Sequence, residues 1–238
     1  MIFNQYFYCP DLTNPVATLS VEESEHCCRA LRHHAGDEIL LTDGKGTVGT
    51  AKIMVDSHKA CMIEITETHE AHDKGVRRLH LAIAPTKNID RIEWLVEKCV
   101  EIGIESISFI LCENSERPRV NLERMQRIAI SALKQCQTSW LPPMEFVPFK
   151  EFLEKHSDTD ADKYMAWCDD ENTRQLSQET FQHQDVILLI GPEGDFSPAE
   201  IELARANGYQ EVKLGNRRLR TETAGLYGCL LMAAKNLT

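Results

Sequence analysis

Two stretches near the C-terminal end hold residue types that could do chemistry together: LIGPEGDFSPAE (residues 189–200) and LGNRRLRTETAG (residues 214–225). In the first, Gly191 and Gly194 flank Pro192 and Glu193, two unrestricted backbones around one fixed φ, a loop that leaves main-chain amides uncovered. Glu193 and Asp195 set carboxylates beside those amides. Such a loop repels phosphate and suits hydroxyls, an adenine edge or a positively charged ligand. The second stretch gathers Arg217, Arg218 and Arg220 with Glu222: permanently charged donors and one carboxylate. A lone Gly-x-x-Gly is commonly no more than a tight turn, so these residues matter only if the fold brings them together.

The flanking segments predict how that happens. DVILLI (Asp185 to Ile190) is short, apolar and without polar alternation, the pattern of a strand buried on both faces. Ser197, Pro198 and Glu200 then read as N-cap, first helical residue and capping-box glutamate. The second loop likewise follows a strand, EVKLG, and precedes a helix expected over Thr223 to Asn236. Both loops should therefore emerge at the carboxyl edge of one α/β sheet, where ligands bind. No Gly-Lys-Ser/Thr enters the helix, which excludes a Walker loop. A dinucleotide fingerprint belongs after the first strand of its unit, and this loop has the wrong place and spacing. A cationic adenosine compound such as S-adenosylmethionine fits these constraints better than ATP.

From Leu79 the texture is alternating strand and helix. LHLAIA, ISFIL, KYMAWC, VILLI and EVKLG are the expected strands; helices are expected over Asp90 to Ile102, ended by Gly103, and from a cap at Asn121 to about Gln137. Ile92, Leu95, Val96, Cys99 and Val100 form the apolar stripe of the first of these. Repeated βα units imply a mainly parallel sheet. The first seventy residues differ: QYFYC, a helix opened by a Ser20–Glu23 capping box, then EILLTD, TVGTAKIMV and CMIEITET separated by DGKG and SHKA turns. That meander predicts a compact β-barrel, with EAHDKGVRR as linker, and hence domains 1–72 and 73–238.

The 238 residues are 42% hydrophobic, enough for a packed core, and have no apolar run near membrane-spanning length. MIFNQYFYCP lacks the charged and apolar regions of a signal peptide, so a cytoplasmic protein is expected. Nine scattered cysteines without Cys-x-x-Cys argue against a disulfide framework or zinc ribbon; Cys27-Cys28 and His33-His34 match no metal spacing, and no metal is expected. The net charge of −11 speaks against nucleic acid until its distribution is seen: residues 145–185 hold 11 acidic against 4 basic residues. Basic residues gather elsewhere, at Arg29 and Arg32, Arg77 and Arg78, Arg117 to Arg127, and Arg217 to Arg220, which keeps an RNA partner open.

LLIGPEGDFSPAE and LGNRRLRTETAG, with HCCRALR, GDEILLTDGKG, EKCVEIGI and CENSER, closely resemble the ribosomal RNA small-subunit methyltransferase E family, of the SPOUT class. The resemblance covers essentially the whole chain. It implies an N-terminal PUA-like RNA-binding barrel, a C-terminal α/β domain tied in a trefoil knot, a homodimer, and S-adenosylmethionine-dependent methylation of N3 of a uridine in 16S ribosomal RNA. On this reading the cofactor rests on Leu189, Ile190, Gly191, Gly194, Leu214, Gly215, Leu219 and Thr223, and Arg29, Arg32, Arg117 and Arg119 meet RNA. Three positions depart from the family pattern: Asp195 stands at the second glycine of GPEGG, Arg218 at a usually aliphatic place, and KQCQTSWLP replaces a segment that carries an arginine.

Methyl transfer to uracil N3 needs positioning, a sink for the charge that spreads onto the flanking carbonyls, and an acceptor for the N3 proton. Arg220 is the candidate for the charge and Glu222 or Glu193 for the proton; alternatively Arg220 and Glu222 make a structural ion pair. The competing class is a non-catalytic RNA-binding protein that keeps the fold.

Overall fold

The GPEG loop begins where a strand buried along its length runs out: Val186 to Ile190 are all at most 3% exposed. The computed structural model describes residues 5–71, 77–167 and 173–235 and divides into two compact units, 1–74 with 130–141, and 75–129 with 142–238. The segment 130–141, which the division at 72/73 assigns to the second domain, thus groups with the first unit.

The first unit carries β1 (Tyr6–Tyr8), β2 (Val16–Thr18), α1 (Val21–Glu25), a π-helical turn His26–Ala30, β3 (Glu38–Thr42), β4 (Thr47–Val55) and β5 (Met62–Glu70). Its sheet order is β1-β3-β4-β5-β2, antiparallel except for the β1–β3 pair. Register shifts at Thr50/Ala51 and Ile53/Val55 bend the long β4–β5 ribbon around a core of Phe7, Leu41, Ile53 and Ile63. The three-residue edge strand β2 was not expected, because VAT between Pro15 and Leu19 is too short to show alternation. In the DGKG turn, Asp43 Oδ1 accepts from the amides of Lys45 (2.7 Å) and Thr47 (2.9 Å), and Gly46 lies against the Trp140 ring, where a Cβ would come within 2.2 Å.

Half of the expected Ser20–Glu23 capping box forms. Ser20 Oγ accepts from the Glu23 amide at 3.2 Å. The Glu23 carboxylate goes elsewhere, accepting from Lys134 Nζ at 2.6 Å and the Tyr8 amide at 3.3 Å, because at 4% exposure it needs a cation more than a cap does.

The second unit is a six-stranded, wholly parallel sheet in the order β11-β9-β10-β6-β7-β8. Its elements are β6 (Arg78–Ile83), α2 (Ile89–Ile102), β7 (Ser106–Leu111), the start of α3 (Leu122–Cys136), β8 (Met144–Pro148), α4 (Phe149–Lys155), β9 (Ala161–Ala166), a 3-10 turn Leu176–Gln178, β10 (Asp185–Ile190), α5 (Pro198–Ala206), β11 (Gln210–Val212) and α6 (Thr221–Ala234). The predicted stripe of α2 is buried throughout, and Gly103 ends that helix at φ +83°. β8 and α4 were not expected: three prolines punctuate residues 142–148, and only an edge strand such as β8 tolerates one at its end. No helix among the described residues is long and apolar enough to cross a membrane.

α6 lies close on the sheet because it presents glycines there. A Cβ at Gly225 would come within 2.9 Å of Ile83, and one at Gly228 within 2.3 Å of Leu188. The small residues of α6 thus serve close packing within this unit, while Tyr227 and Leu230 are exposed.

Candidate functional site

β10 sits between β9 and β6, so the chain leaves it at the point where connections diverge to opposite sides of the sheet. The loop that follows is held from below. The Ser197 amide donates to Glu200 Oε2 at 2.9 Å and the Glu200 amide to Ser197 Oγ at 3.3 Å, completing the predicted capping box at the start of α5. Glu200 Oε1 also accepts from the Glu113 amide at 2.9 Å, and Asn114 Nδ2 donates to the Asp195 carbonyl at 3.1 Å. Glu193 Oε1 accepts from the Lys87 amide at 3.0 Å, just ahead of α2. Three βα loops are thereby fastened to one another at the carboxyl edge.

Two adjoining cavities open on that edge, of about 360 and 520 Å³. Ala166, Trp167, Asp195, Arg218 and Leu219 line both. The smaller also takes in Arg91, Ile190, Gly191, Glu193, Arg220 and Thr221, and the larger Leu214, Gly215 and Asn216. Each volume lies in the range of sites for small ligands.

Of the residues expected to hold a cofactor, Ile190, Gly191, Leu214, Gly215 and Leu219 are brought together around this space. Leu189 points into the core with Phe149 and Phe196, as strand alternation requires of the neighbour of Ile190. Gly194 packs against Asn114, and Thr223 is exposed beyond the lining, which Thr221 joins instead because α6 starts two residues earlier than expected. Arg91 and Trp167 come from elements remote in sequence, so no local pattern marks them.

Trp167 is positioned by Nε1 donating to Glu211 Oε2 at 2.6 Å. Arg205 on α5 grips the other oxygen of Glu211 and, with the indole's help, holds that carboxyl below the usual glutamate range against the opposing effect of burial. Arg220 is the N-cap of α6 and lines the smaller cavity. Glu222, the second residue of that helix and 7% exposed, does not pair with it: its ionic partner is Arg91, Nε to Oε1 at 3.8 Å, and its Oε2 is buried without a hydrogen-bond partner. Arg220, at the N-cap, is exposed and Glu222, two residues on, is buried, so the alternative of a structural Arg220–Glu222 pair is not formed.

Asp195 adopts φ +64°, the left-handed region where glycine is at ease. It is held there by its own side chain, Oδ1 accepting from the Phe196 amide at 2.9 Å.

Chemically, the lining combines an indole and aliphatic walls with the carboxylates of Glu193 and Asp195 and the guanidinium groups of Arg91, Arg218 and Arg220. That set fits a ligand bearing an aromatic base, a positive centre and a carboxylate.

The sequence family described as RNA methyltransferase domain matches residues 73–233, and that described as RNA methyltransferase PUA domain matches residues 19–66. A ribosomal RNA small subunit methyltransferase E from Synechocystis sp. is 31% identical over 212 residues, covering 87% of this chain and 69% of that protein. This chain belongs to the ribosomal RNA small subunit methyltransferase E family. Among solved structures, a probable rRNA-methyltransferase from Porphyromonas gingivalis is 40% identical with a TM-score of 0.89, covering 98% of both chains. A family member from Neisseria gonorrhoeae, bound to S-adenosyl methionine, is 26% identical with a TM-score of 0.85 over 97% of both.

The arginines that family resemblance pointed toward RNA lie in different settings. Arg117 is committed to backbone, Nε donating to the Thr86 carbonyl at 3.0 Å and a terminal nitrogen to the Lys87 carbonyl at 2.5 Å, so it fastens loops of the methyltransferase domain. Arg119 is exposed. In the PUA domain Arg29 is exposed and pairs with Glu25 at 2.7 Å, while Arg32 is exposed at φ +59°.

Proposed function

We propose that this protein uses S-adenosylmethionine to methylate N3 of a uridine in 16S ribosomal RNA of the small subunit. The observation that carries the reading is the convergence of the GPEG and RLRTET loops on one cavity pair holding Trp167, Arg91, Arg220 and Glu193. Backbone of Ile190, Gly191, Leu214, Gly215 and Leu219, with the Trp167 ring, would hold the nucleoside part of S-adenosylmethionine. When bound, S-adenosylmethionine supplies a methyl group on a sulfonium, an electrophile that needs no metal.

The chain's own work is to position the uracil and manage charge. Arg220, at the cavity rim, donates to the uracil carbonyl that gains negative charge as N3 loses its proton. Arg91 adds a second positive charge, and Glu222 acts through it by fixing its orientation. Glu193, exposed and lining the same cavity, takes the N3 proton and returns it to solvent in this proposal. The base reaches this site only from an unpaired or flipped nucleotide. The PUA domain, through Arg29 and Arg32, contributes RNA affinity, and a trefoil-knotted cofactor site in a cytoplasmic homodimer completes the proposal; Tyr227 and Leu230 on the outer face of α6 suit the dimer contact.

The second reading, an RNA-binding protein without catalysis, is favoured by one observation: Asp195 places a side chain in both cavities where its family has glycine. Calorimetric titration tests the proposal. S-adenosylmethionine or its demethylated product should bind saturably and ATP and NAD should not; saturable ATP binding without S-adenosylmethionine binding contradicts it.

A further inference from the structure

Cys27 and Cys28 lie in the π-helical turn His26–Ala30, and Cys61 lies just before β5. Their Sγ atoms all stand within 4.8 Å of one another. Cys27 and Cys61 are fully buried and Cys28 is half-buried. Cys61 is pinned on both sides of its backbone. Its amide donates to Ser24 Oγ at 2.9 Å, its carbonyl accepts from the Leu19 amide at 2.9 Å, and Ser24 Oγ in turn donates to the Leu19 carbonyl at 3.1 Å. The third sulfur is thus fixed against the turn that carries the other two. π-helical turns are rare and concentrate at functional sites.

Ordinary packing of buried thiols as small hydrophobes accounts for one or two such residues. It does not require three sulfurs to face one point. With metal–sulfur bonds near 2.3 Å, sulfurs around one ion stand roughly 3.8 to 4.0 Å apart, so about 1 Å of closure at most converts the observed cluster into a coordination sphere.

We infer that Cys27, Cys28 and Cys61 form a three-sulfur binding site for one soft cation, Cu(I), in the N-terminal unit. Among the described residues no fourth histidine, cysteine or carboxylate atom joins the group, whereas closed zinc sites take four ligands. An open zinc site keeps a water, and two of these sulfurs are sealed from solvent. Cu(I) is satisfied by few, soft ligands. On binding, sulfur–hydrogen bonds are replaced by sulfur–copper bonds and the protons leave to solvent; the ion enters as Cu(I), so no electron is exchanged. Half-buried Cys28 is the side from which an ion arrives. The adjacent Cys27 and Cys28 match no metal spacing on their own, and Cys61, which joins them in the fold, is remote in sequence.

The test uses the full-length reduced protein under anaerobic conditions, titrated with Cu(I) held by a chromophoric Cu(I) chelator, with Zn(II) and a zinc chelator in parallel. The expected result is withdrawal of one equivalent of copper, with X-ray absorption showing sulfur as the ligand. Cys61→Ser and Cys28→Ser should each weaken binding at least tenfold, and Cys136→Ser, at an exposed cysteine outside the cluster, should leave it unchanged. Circular dichroism checks the folding of each variant. If Cys61→Ser does not fold, Cys28→Ser and the sulfur count decide. No copper uptake, uptake indifferent to Cys28→Ser, nitrogen or oxygen ligation, or preferential uptake of zinc overturns the assignment.

Discussion

Arg220 and Asp195 carry the residue-scale account. On the proposed mechanism Arg220→Ala removes the donor to charge that develops only as N3 is deprotonated, so methylation should fall by about 10² to 10³-fold while S-adenosylmethionine affinity stays within a few-fold. Near-normal turnover with isolated small subunits would show that Arg220 has another role. Asp195 makes the opposite kind of claim, about backbone. At φ +64° an alanine loses both the tolerance of aspartate for that region and the bond to the Phe196 amide, so Asp195→Ala should cost about 1–2 kcal/mol in urea unfolding. Asp195→Gly should be close to neutral in stability and should tighten S-adenosylmethionine binding by clearing the shared wall of both cavities. Equal stabilities for the two variants would remove the backbone argument. At this scale the sequence was legible for arginines and glycines within the two loops. It was silent on Arg91 and Trp167, which enter the site from α2 and the end of β9, because side chains that meet across a sheet leave no spacing to read.

At the scale of elements, the strands and helices with strong periodicity were legible: β6, β7 and β10, and α2 with its five buried stripe residues and glycine stop. Elements fixed by tertiary packing were not, as β2, β8 and α4 show. Nor was the destination of Glu23, where a partly buried lysine outcompeted a helix cap. The coupling of β11 to the site through Glu211 gives a pH prediction. Arg205 and Trp167 favour the ionised carboxylate, so the folded value lies below the 4.5 of an ordinary glutamate. The stability it contributes is fully present above pH 4.5 and is lost as pH falls through the folded value. Wild type should therefore exceed Glu211→Gln in Tm by a constant margin at neutral pH, and the margin should shrink below pH 4.5. A margin unchanged down to pH 3 would show that the contact contributes through packing alone.

For the whole molecule, charge distribution reconciles an acidic chain with an RNA substrate. The acidic excess is concentrated in residues 145–185, while arginines occupy the turn of the N-terminal unit and the carboxyl-edge loops of the sheet. The two-domain plan was legible from the change of texture near residue 79. The grouping of 130–141 with the first unit was not, because that contact depends on Trp140 and Lys134 finding partners far away in sequence. The central claim, methyl transfer to uracil N3 of small-subunit RNA, is tested most directly by incubating the protein with small subunits that lack this modification and S-adenosylmethionine labelled in its methyl group, then resolving the nucleosides by mass spectrometry. The account predicts label in 3-methyluridine at a single position of the 16S RNA. Label on another atom or base, or none in the presence of bound S-adenosylmethionine, would contradict it.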